Sequence, residues 1–293
     1  VLNLLVKPFY ILGIDAEVQV RVGTSAYGAY NALLSLSFLL NILLDLGITN
    51  WNTRHIARDT AGMRDQVGGL IALRVLLGLG YVVVLGIAAL FLGYGEDRLL
   101  LLGVLAVNQF LVSSILYLRS NIAGAQRFAQ DSMLSVLDRV LLIATCAWLL
   151  WVRFADQAFP LRWFVLAQTF AYGITAAVAF VLVVRLGGMP VPHWDRRKVA
   201  AVLRESAPFA LLVLLMSFYY RTDTVMLERM TPDGAFHAGV YAQGFRFFES
   251  LNMLGYLFAG LLLPMFSRML KEGADVGPLA GLAWRIRSKK TQR

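Results

Sequence analysis

The sequence predicts an all-α integral membrane protein, a polytopic bundle of about eight transmembrane helices, and three observations carry that expectation. Apolar residues make up 58% of the 293 residues and charged residues only 15%, with a mean hydropathy of +0.65. An ordinary soluble domain is about 45–50% apolar and about 25% charged. The apolar residues fall in long blocks, close to the roughly 20 that a helix needs to cross a hydrocarbon core. The basic residues lie between those blocks, as they do in the loops of membrane proteins. A formal charge of +9 distributed in this way does not form the aromatic-interleaved surface patch that nucleic acid requires.

The first block runs from about Val1 to Val20. It is apolar at once, with no basic leader and no small-residue cleavage site, so it reads as a span of a chain clipped at its N-terminus and not as a signal peptide. Further helices are expected at about Tyr27 to Ile48, Val67 to Leu92 and Leu99 to Leu118. The last of these is the cleanest, bracketed by Arg98 and Arg119 and interrupted by Asn108, Gln109 and two serines. Leu134 to Phe154, Trp163 to Val184, Pro208 to Met230 and Ala238 to Phe266 complete the set. Cys146, the single cysteine, lies inside an apolar block and reads as a small packing residue. With one thiol, a disulfide framework is excluded.

Short polar connections join the helices, and the longest, Arg185 to Ser206, marks a lobe boundary. Gly187, Gly188, Pro190 and Pro192 break the preceding helix there. Trp194 and the run Arg196, Arg197, Lys198 then give the segment an interfacial character. The expected organisation is an N-terminal transmembrane lobe over 1–186, a cytoplasmic interlobe loop over 187–206, the first two spans of a second lobe over 207–270, and a basic cytoplasmic tail over 271–293. Lys and Arg crowd the loops of one face, through Arg54, Arg58, Arg64, Arg119, Arg127, Arg185, Arg204, Arg268, Lys271 and the tail. The opposite face carries Arg21, Arg98, Arg153, Arg162 and Arg229. This bias places both chain ends in the cytoplasm. An internal echo, Gly28-Ala29-Tyr30 and Gly239-Val240-Tyr241, opens the second and eighth spans in the same orientation, as parallel repeats would. Glycine and tyrosine at an interfacial helix start would produce the same echo.

No metal-ligand spacing, nucleophile elbow or phosphate loop is present, and His55, His193 and His237 are far apart, so no enzyme and no cofactor is expected. The informative residues are ionisable groups inside spans, which are costly in hydrocarbon and face partners or watery cavities. Arg221 and Asp223 in the seventh span and Arg246 and Glu249 in the eighth form the densest set. Arg221 lies nine residues before Met230 and Arg246 eight after Ala238, each about 12–14 Å deep at about 1.5 Å per residue. Pairing Asp223 with Arg246 and Glu249 with Arg221 would neutralise the set, either as a structural lock or as a cluster that a ligand reopens. Lys7 and Arg74 have no obvious carboxylate neighbour and are candidate cavity cations. Asp138 and Arg139 lie about a turn and a half inside the fifth span, close enough to its end to be solvated. Counting Lys7, Arg74, Arg139, Arg221 and Arg246 against Asp138, Asp223 and Glu249, the interior holds surplus positive charge, which suits a pyrophosphate headgroup held by arginine forks. Pro8 would kink the first helix beside Lys7, as a gate or for packing alone.

Several scattered positions extend the comparison beyond composition. Arg21-Val22-Gly23 leads to Tyr27-Gly28-Ala29-Tyr30, Asp45-Leu46-Gly47-Ile48 precedes a basic loop, and Tyr117-Leu118-Arg119-Ser120-Asn121 follows the fourth span. Arg221-Thr222-Asp223 and Gly239-Val240-Tyr241-Ala242 continue the series. In their order and spacing, up to about Lys271, they resemble the polysaccharide-biosynthesis, or O-antigen flippase, family of the multidrug/oligosaccharidyl-lipid/polysaccharide exporter superfamily. The resemblance implies a two-lobed helical transporter that flips undecaprenyl-pyrophosphate-linked oligosaccharide across a bacterial inner membrane. It implies alternating access coupled to an ion gradient or membrane potential. On the charge reading above, Lys7, Arg74, Arg221 and Arg246 are the expected substrate-binding cations, and Asp223 and Glu249 the expected coupling or salt-bridge residues. The resemblance implies as partners the membrane lipid, the lipid-linked oligosaccharide and a polysaccharide polymerase or glycosyltransferases. Such proteins have a full second lobe, of which this sequence holds the start, so the chain reads as truncated.

Three other readings remain. A related exporter of small cationic drugs would share the fold but want an acidic cavity. A non-transporting membrane partner would dock on assembly enzymes through its basic loops. A membrane glycosyltransferase would need carboxylates at a loop mouth, where isolated Asp97, Asp156 and Asp233 are available.

Overall fold

The computed structural model describes residues 2–59, 62–155, 157–191 and 194–271, with side chains placed from residue 6 to residue 252 apart from Arg58 and Lys198. Every regular element among them is helical. The basic tail beyond Lys271, with Pro192 and His193, lies outside the described residues. Two compact units divide the chain, Val1–Arg246 and Phe247–Arg293, and all the contacts below belong to the first.

The first span is one helical path in three parts: α1 (Leu2–Phe9), a π-helical segment (Tyr10–Asp15) and α2 (Ala16–Val22). Pro8 lies just ahead of the π segment and has no N–H to donate to the turn behind it. The wider i→i+5 pattern that follows turns Ile14 and Val18 inward, both buried. The second span is α3 (Thr24–Leu39) and the single turn α4 (Ile42–Asp45), separated by a turn at Leu40 and Asn41. Leu46 and Gly47, both at positive φ, end it.

Residues expected as a polar loop after Ile48 instead form α5 (Ile48–Arg58). Its stripe of Ile48, Asn52 and Ile56, spaced by four, is fully buried, while Arg54 is exposed. An amphipathic helix of this kind suits the membrane interface. Then come α6 (Met63–Phe91), α7 (Glu96–Gly124), α8 (Phe128–Trp148) with its π-helical end Leu149–Arg153, and α9 (Leu161–Gly187). The last helices are α10 (Arg196–Met230) and α11 (Gly234–Lys271). The segment Arg196–Ser206, expected as interlobe loop, is the first part of α10 and buries Val199, Val202 and Ser206.

Six stretches among the described residues are long and apolar enough to cross a membrane: Thr24–Asp45, Met63–Phe91, Glu96–Gly124, Phe128–Arg153, Leu161–Gly187 and Val199–Met230. The α1–α2 path carries Lys7, Asp15, Glu17 and Arg21, and the side chains of α11 are described to residue 252. Large apolar side chains point outward, such as Leu79 (62% exposed) and Val83 (59%) on α6 and Leu215 (62%) on α10. In water such faces would be aggregation sites, and in a bilayer they meet lipid. The chain is a multi-pass membrane protein.

Two apolar clusters fill the interior. One gathers Tyr81 and Leu85 of α6, Leu102 and Leu105 of α7, Leu142 and Cys146 of α8 and Phe164 and Val165 of α9. The other holds Val67 and Leu70 of α6, Leu118 and Ile122 of α7, Leu134 of α8 and Val183 of α9. On each helix polar residues lie between the clusters: Arg74 on α6, Gln109 and Ser113 on α7, Asp138 and Arg139 on α8, Tyr172 and Thr175 on α9. A polar layer thus crosses the bundle at mid-height.

The start of α3 crosses the start of α11 at very short range. A Cβ on Gly28 would stand 1.8 Å from the Ala235 carbonyl oxygen, and one on Gly239 would stand 2.2 Å from that of Thr24. The contact is reciprocal, since each glycine presses on the residue four before the other, the close small-residue packing that membrane helices use. The two copies of the Gly-X-Tyr echo therefore meet each other. Gly28→Val and Gly239→Val overpack this crossing by about 1–3 kcal/mol. Each is expected to lower the melting temperature in detergent, whereas Gly80→Ala and Gly86→Ala, whose added Cβ meets nothing within 4 Å, leave it unchanged; equal melting of all four variants would contradict the packing described.

Candidate functional site

Of the two pairs expected between the seventh and eighth spans, the members of the Asp223–Arg246 pair turn to other partners. Arg246 turns to the first span: its Nη2 lies 2.9 Å from Asp15 Oδ2, and its Nε donates to the same oxygen at 3.0 Å. Nη2 also donates to Gln19 Oε1 at 2.8 Å. Tyr27 donates its hydroxyl to both Asp15 oxygens, at 2.7 and 2.8 Å, and its ring lies 5.5 Å below the Arg246 guanidinium. Gln19 Nε2 donates to the Gly239 carbonyl at 2.9 Å. The expected Asp223–Arg246 pair is thus replaced, because the Gly28–Gly239 crossing brings α11 against the α1–α2 path. Asp15 sits at the end of the π segment, where it meets Arg246 as α11 passes. Asp223 is exposed and accepts a hydrogen bond from the Tyr241 hydroxyl at 3.1 Å.

Arg74, expected as a free cavity cation, is buried and neutralised. Its Nη1 lies 3.1 Å from Asp45 Oδ1, its Nη2 donates to Ser113 Oγ at 2.7 Å, and its guanidinium stacks 4.6 Å from the Tyr117 ring. Asp45 ends the α4 turn and also takes the amide and hydroxyl of Thr49. Arg74 is a structural tie between α4, α6 and α7. Arg221 is half-buried, its guanidinium 4.6 Å from the Phe38 ring and 5.5 Å from the Phe245 ring. Glu249 lies in the second compact unit.

Lys7 is half-buried on α1 and makes no hydrogen bond or ion pair among the described residues. The charges bearing on it are Arg139, Asp138 and Arg119. Arg139 is held in the bundle, its guanidinium 5.0 Å from the Tyr10 ring and its Nη1 3.3 Å from the Tyr172 hydroxyl. Its ion pair with Asp138 is long, at 3.8 Å. Arg119 is bound in bidentate fashion by Asp131, at 2.7 and 3.2 Å.

Toward one end of the bundle, Glu228 near the end of α10 is buried and takes Arg98 Nη1 at 2.6 Å and the Tyr94 hydroxyl at 3.1 Å. Arg229 stacks 3.6 Å from the Tyr94 ring. Burial raises the pKa of the Tyr94 hydroxyl above its ordinary value, so it stays a donor. This cluster pins the α6–α7 turn to α10. Toward the other end, Trp51 of α5 stacks on His55 at 3.7 Å and donates Nε1 to Glu205 of α10 at 2.6 Å.

Sequence reasoning missed Asp15 and Asp45, and with them the neutralisation of Arg246 and Arg74. Five cations set against three carboxylates become five against five once these two are included. The surplus positive charge is local, not general. The missing signal was available: both aspartates lie inside blocks otherwise read as spans, where a carboxylate needs a cation.

Residues 18–270 match the family model described as polysaccharide biosynthesis protein. No curated protein and no solved structure matches the chain.

Removing one partner of a buried ion pair leaves the other charge uncompensated, at a cost of about 3 kcal/mol or more. Asp45→Ala is therefore expected to lower the detergent melting temperature more than the double variant Asp45→Asn with Arg74→Gln. A double-mutant cycle showing additive effects would remove Arg74–Asp45 as a coupled pair.

Proposed function

Since the chain belongs to the polysaccharide biosynthesis protein family, we propose that it flips undecaprenyl-pyrophosphate-linked oligosaccharide, an O-antigen or related repeat unit, across the bacterial inner membrane. The match across residues 18–270 carries this reading. It is supported by a multi-pass bundle whose charged side chains lie among its apolar helices. The protein acts as a transporter without a chemical step, with both ends in the cytoplasm, as the distribution of basic loop residues favours. It hands its substrate to a polymerase and receives it from glycosyltransferases at the two faces.

Alternating access requires contacts that hold in one state and part in another. The Asp15–Arg246 pair has the properties of such a contact: it joins the π segment to α11, its members lie far apart in the sequence, and Gln19 and Tyr27 hold it by hydrogen bonds. Irregular backbone inside a membrane helix is a common place for functional movement. Protonation of Asp15 would release Arg246 and so couple transport to a proton gradient. Lys7 and Arg221 are the remaining candidates for the substrate anion from the original set, with Arg74 assigned to structure.

Complementation of bacteria lacking their own flippase is the direct test, read as surface polysaccharide against lipid-linked repeat units retained on the cytoplasmic face. Asp15→Asn and Arg246→Gln are each expected to reduce surface polymer to background while protein still reaches the membrane. Normal polymer in both variants would remove the pair from the transport cycle, and no polymer with the wild type would overturn the flippase reading.

A further inference from the structure

We propose that the pocket between α5 and α10, lined by Trp51, Arg54, His55 and Glu205, binds the headgroup of an aminophospholipid, with the phosphate on Arg54 and the ammonium on Glu205. The pocket is separate from the charged side chains of the bundle interior, and neither its location nor its chemistry depends on the flippase reading.

Two opposite charges share this pocket without meeting. Arg54 is held by its own helix and by an aromatic ring: Nε donates to the Asn50 carbonyl at 3.3 Å, and the guanidinium lies 4.8 Å from the centre of the Phe209 ring. Glu205 Oε2 accepts Trp51 Nε1 at 2.6 Å, and its Oε1 has no hydrogen bond among the described residues. The walls are fixed from behind. A Cβ on Gly47, just ahead of α5, would stand 2.8 Å from the Ser206 carbonyl oxygen of α10, and Ile48, Asn52 and Ile56 bury the opposite face of α5. The charges are thus held apart around a preformed space, and a ligand that carries both signs answers both without reordering the site. The volume, about 300 Å³, is at the low end of the range of about 300–1,000 Å³ for ligand pockets. It admits a headgroup and is too small for a lipid-linked oligosaccharide.

The setting selects a lipid. α5 is amphipathic, and tryptophan is the residue type that sits at headgroup level. Leu211 and Leu212, up to two turns beyond Glu205 on α10, are exposed, so acyl chains can lie on α10 while the headgroup enters the pocket. The rings then decide which cation fits. A quaternary ammonium is held on open aromatic faces. Here Trp51 is stacked on His55, ring centres 3.7 Å apart, and the Phe209 ring carries Arg54, so the carboxylate is the stronger cation acceptor in the pocket. The open oxygen of Glu205 needs N–H donors, of which a primary ammonium has three and a trimethylammonium none. Arg54 supplies its fork to the phosphate oxygens, as guanidinium groups do elsewhere. A headgroup with phosphate and no amine would leave Glu205 facing an anion. Phosphatidylethanolamine is the simplest lipid that satisfies both ends.

The test reads lipid retention, not transport. The full 293-residue chain is reconstituted in nanodiscs of equal parts phosphatidylethanolamine, phosphatidylcholine and phosphatidylglycerol and released into detergent, and the lipid it keeps is read by native mass spectrometry. Wild type is expected to keep phosphatidylethanolamine over phosphatidylcholine roughly tenfold, about what one charge-assisted hydrogen-bonding group contributes. Substituting the N-methyl and N,N-dimethyl derivatives is expected to lower that preference stepwise, in a series that leaves the protein unaltered and so excludes a folding defect. Glu205→Gln, which still offers Trp51 an acceptor, is expected to abolish the preference, and Arg54→Gln to lower retention of the ethanolamine lipid. Equal retention of the ethanolamine and choline lipids by wild type, or a preference that persists in Glu205→Gln, overturns the site. So does preferred retention of phosphatidylglycerol that is lost in Arg54→Gln, which would assign the pocket to an anionic headgroup. Complementation reads none of these outcomes, so the lipid site and the flippase reading fail separately.

Discussion

The constraint on which the rest of this structure depends is that a polar group at mid-membrane must find its partner inside the protein. Lipid offers no hydrogen bond, and an unpaired charge in hydrocarbon costs several kcal/mol. The bundle answers with polar side chains set among and between its two apolar clusters. Asn41 donates to Gln109 at 2.7 Å, Gln168 to Tyr30 at 2.9 Å, and Thr169 to Asn108 at 2.7 Å. Arg74 is clamped by Asp45 and Ser113 in the same way. Each bond joins different helices, so the polar side chains that would be a liability in lipid set which helices are neighbours and at what height.

Irregularities of the helices fall where that pairing demands them. The π segment places Asp15 so that it meets both Tyr27 and Arg246. The break at Leu40 and Asn41 lets α4 present Asp45 to Arg74. The reciprocal crossing of Gly28 and Gly239 brings α11 close enough for Arg246 to reach the first span. The π segment and the break each place the carboxylate of an ion pair, so these departures from ideal geometry and the ion pairs occur together.

Most of the architecture was legible in the sequence because the hydrophobic blocks are long and their flanks polar. The helices expected at Val67 to Leu92 and Leu99 to Leu118 appear as α6 and α7, lengthened by a turn or more into the interface. The interfacial helix α5 and the first part of α10 were read as loops. Their apolar stripes, Ile48 with Ile56 and Val199 with Val202, are too short and too mixed with charge to stand out from a polar connection. The Gly-X-Tyr echo was visible as a pattern, but nothing in it showed that its two copies touch.

By itself the sequence determined the class of this protein, its membrane setting and the side chains that carry charge into it, because hydropathy and charge act residue by residue. Pairing was decided by tertiary structure alone. Asp15 and Arg246 are separated by most of the chain, and Asp45 meets Arg74 across a helix break; a charge on one helix does not reveal which face of which neighbour it will meet. The same packing that silenced Arg74 and Arg246 left Lys7 and Arg139 with one carboxylate between them, concentrating in one place the positive charge that the sequence had spread over several spans.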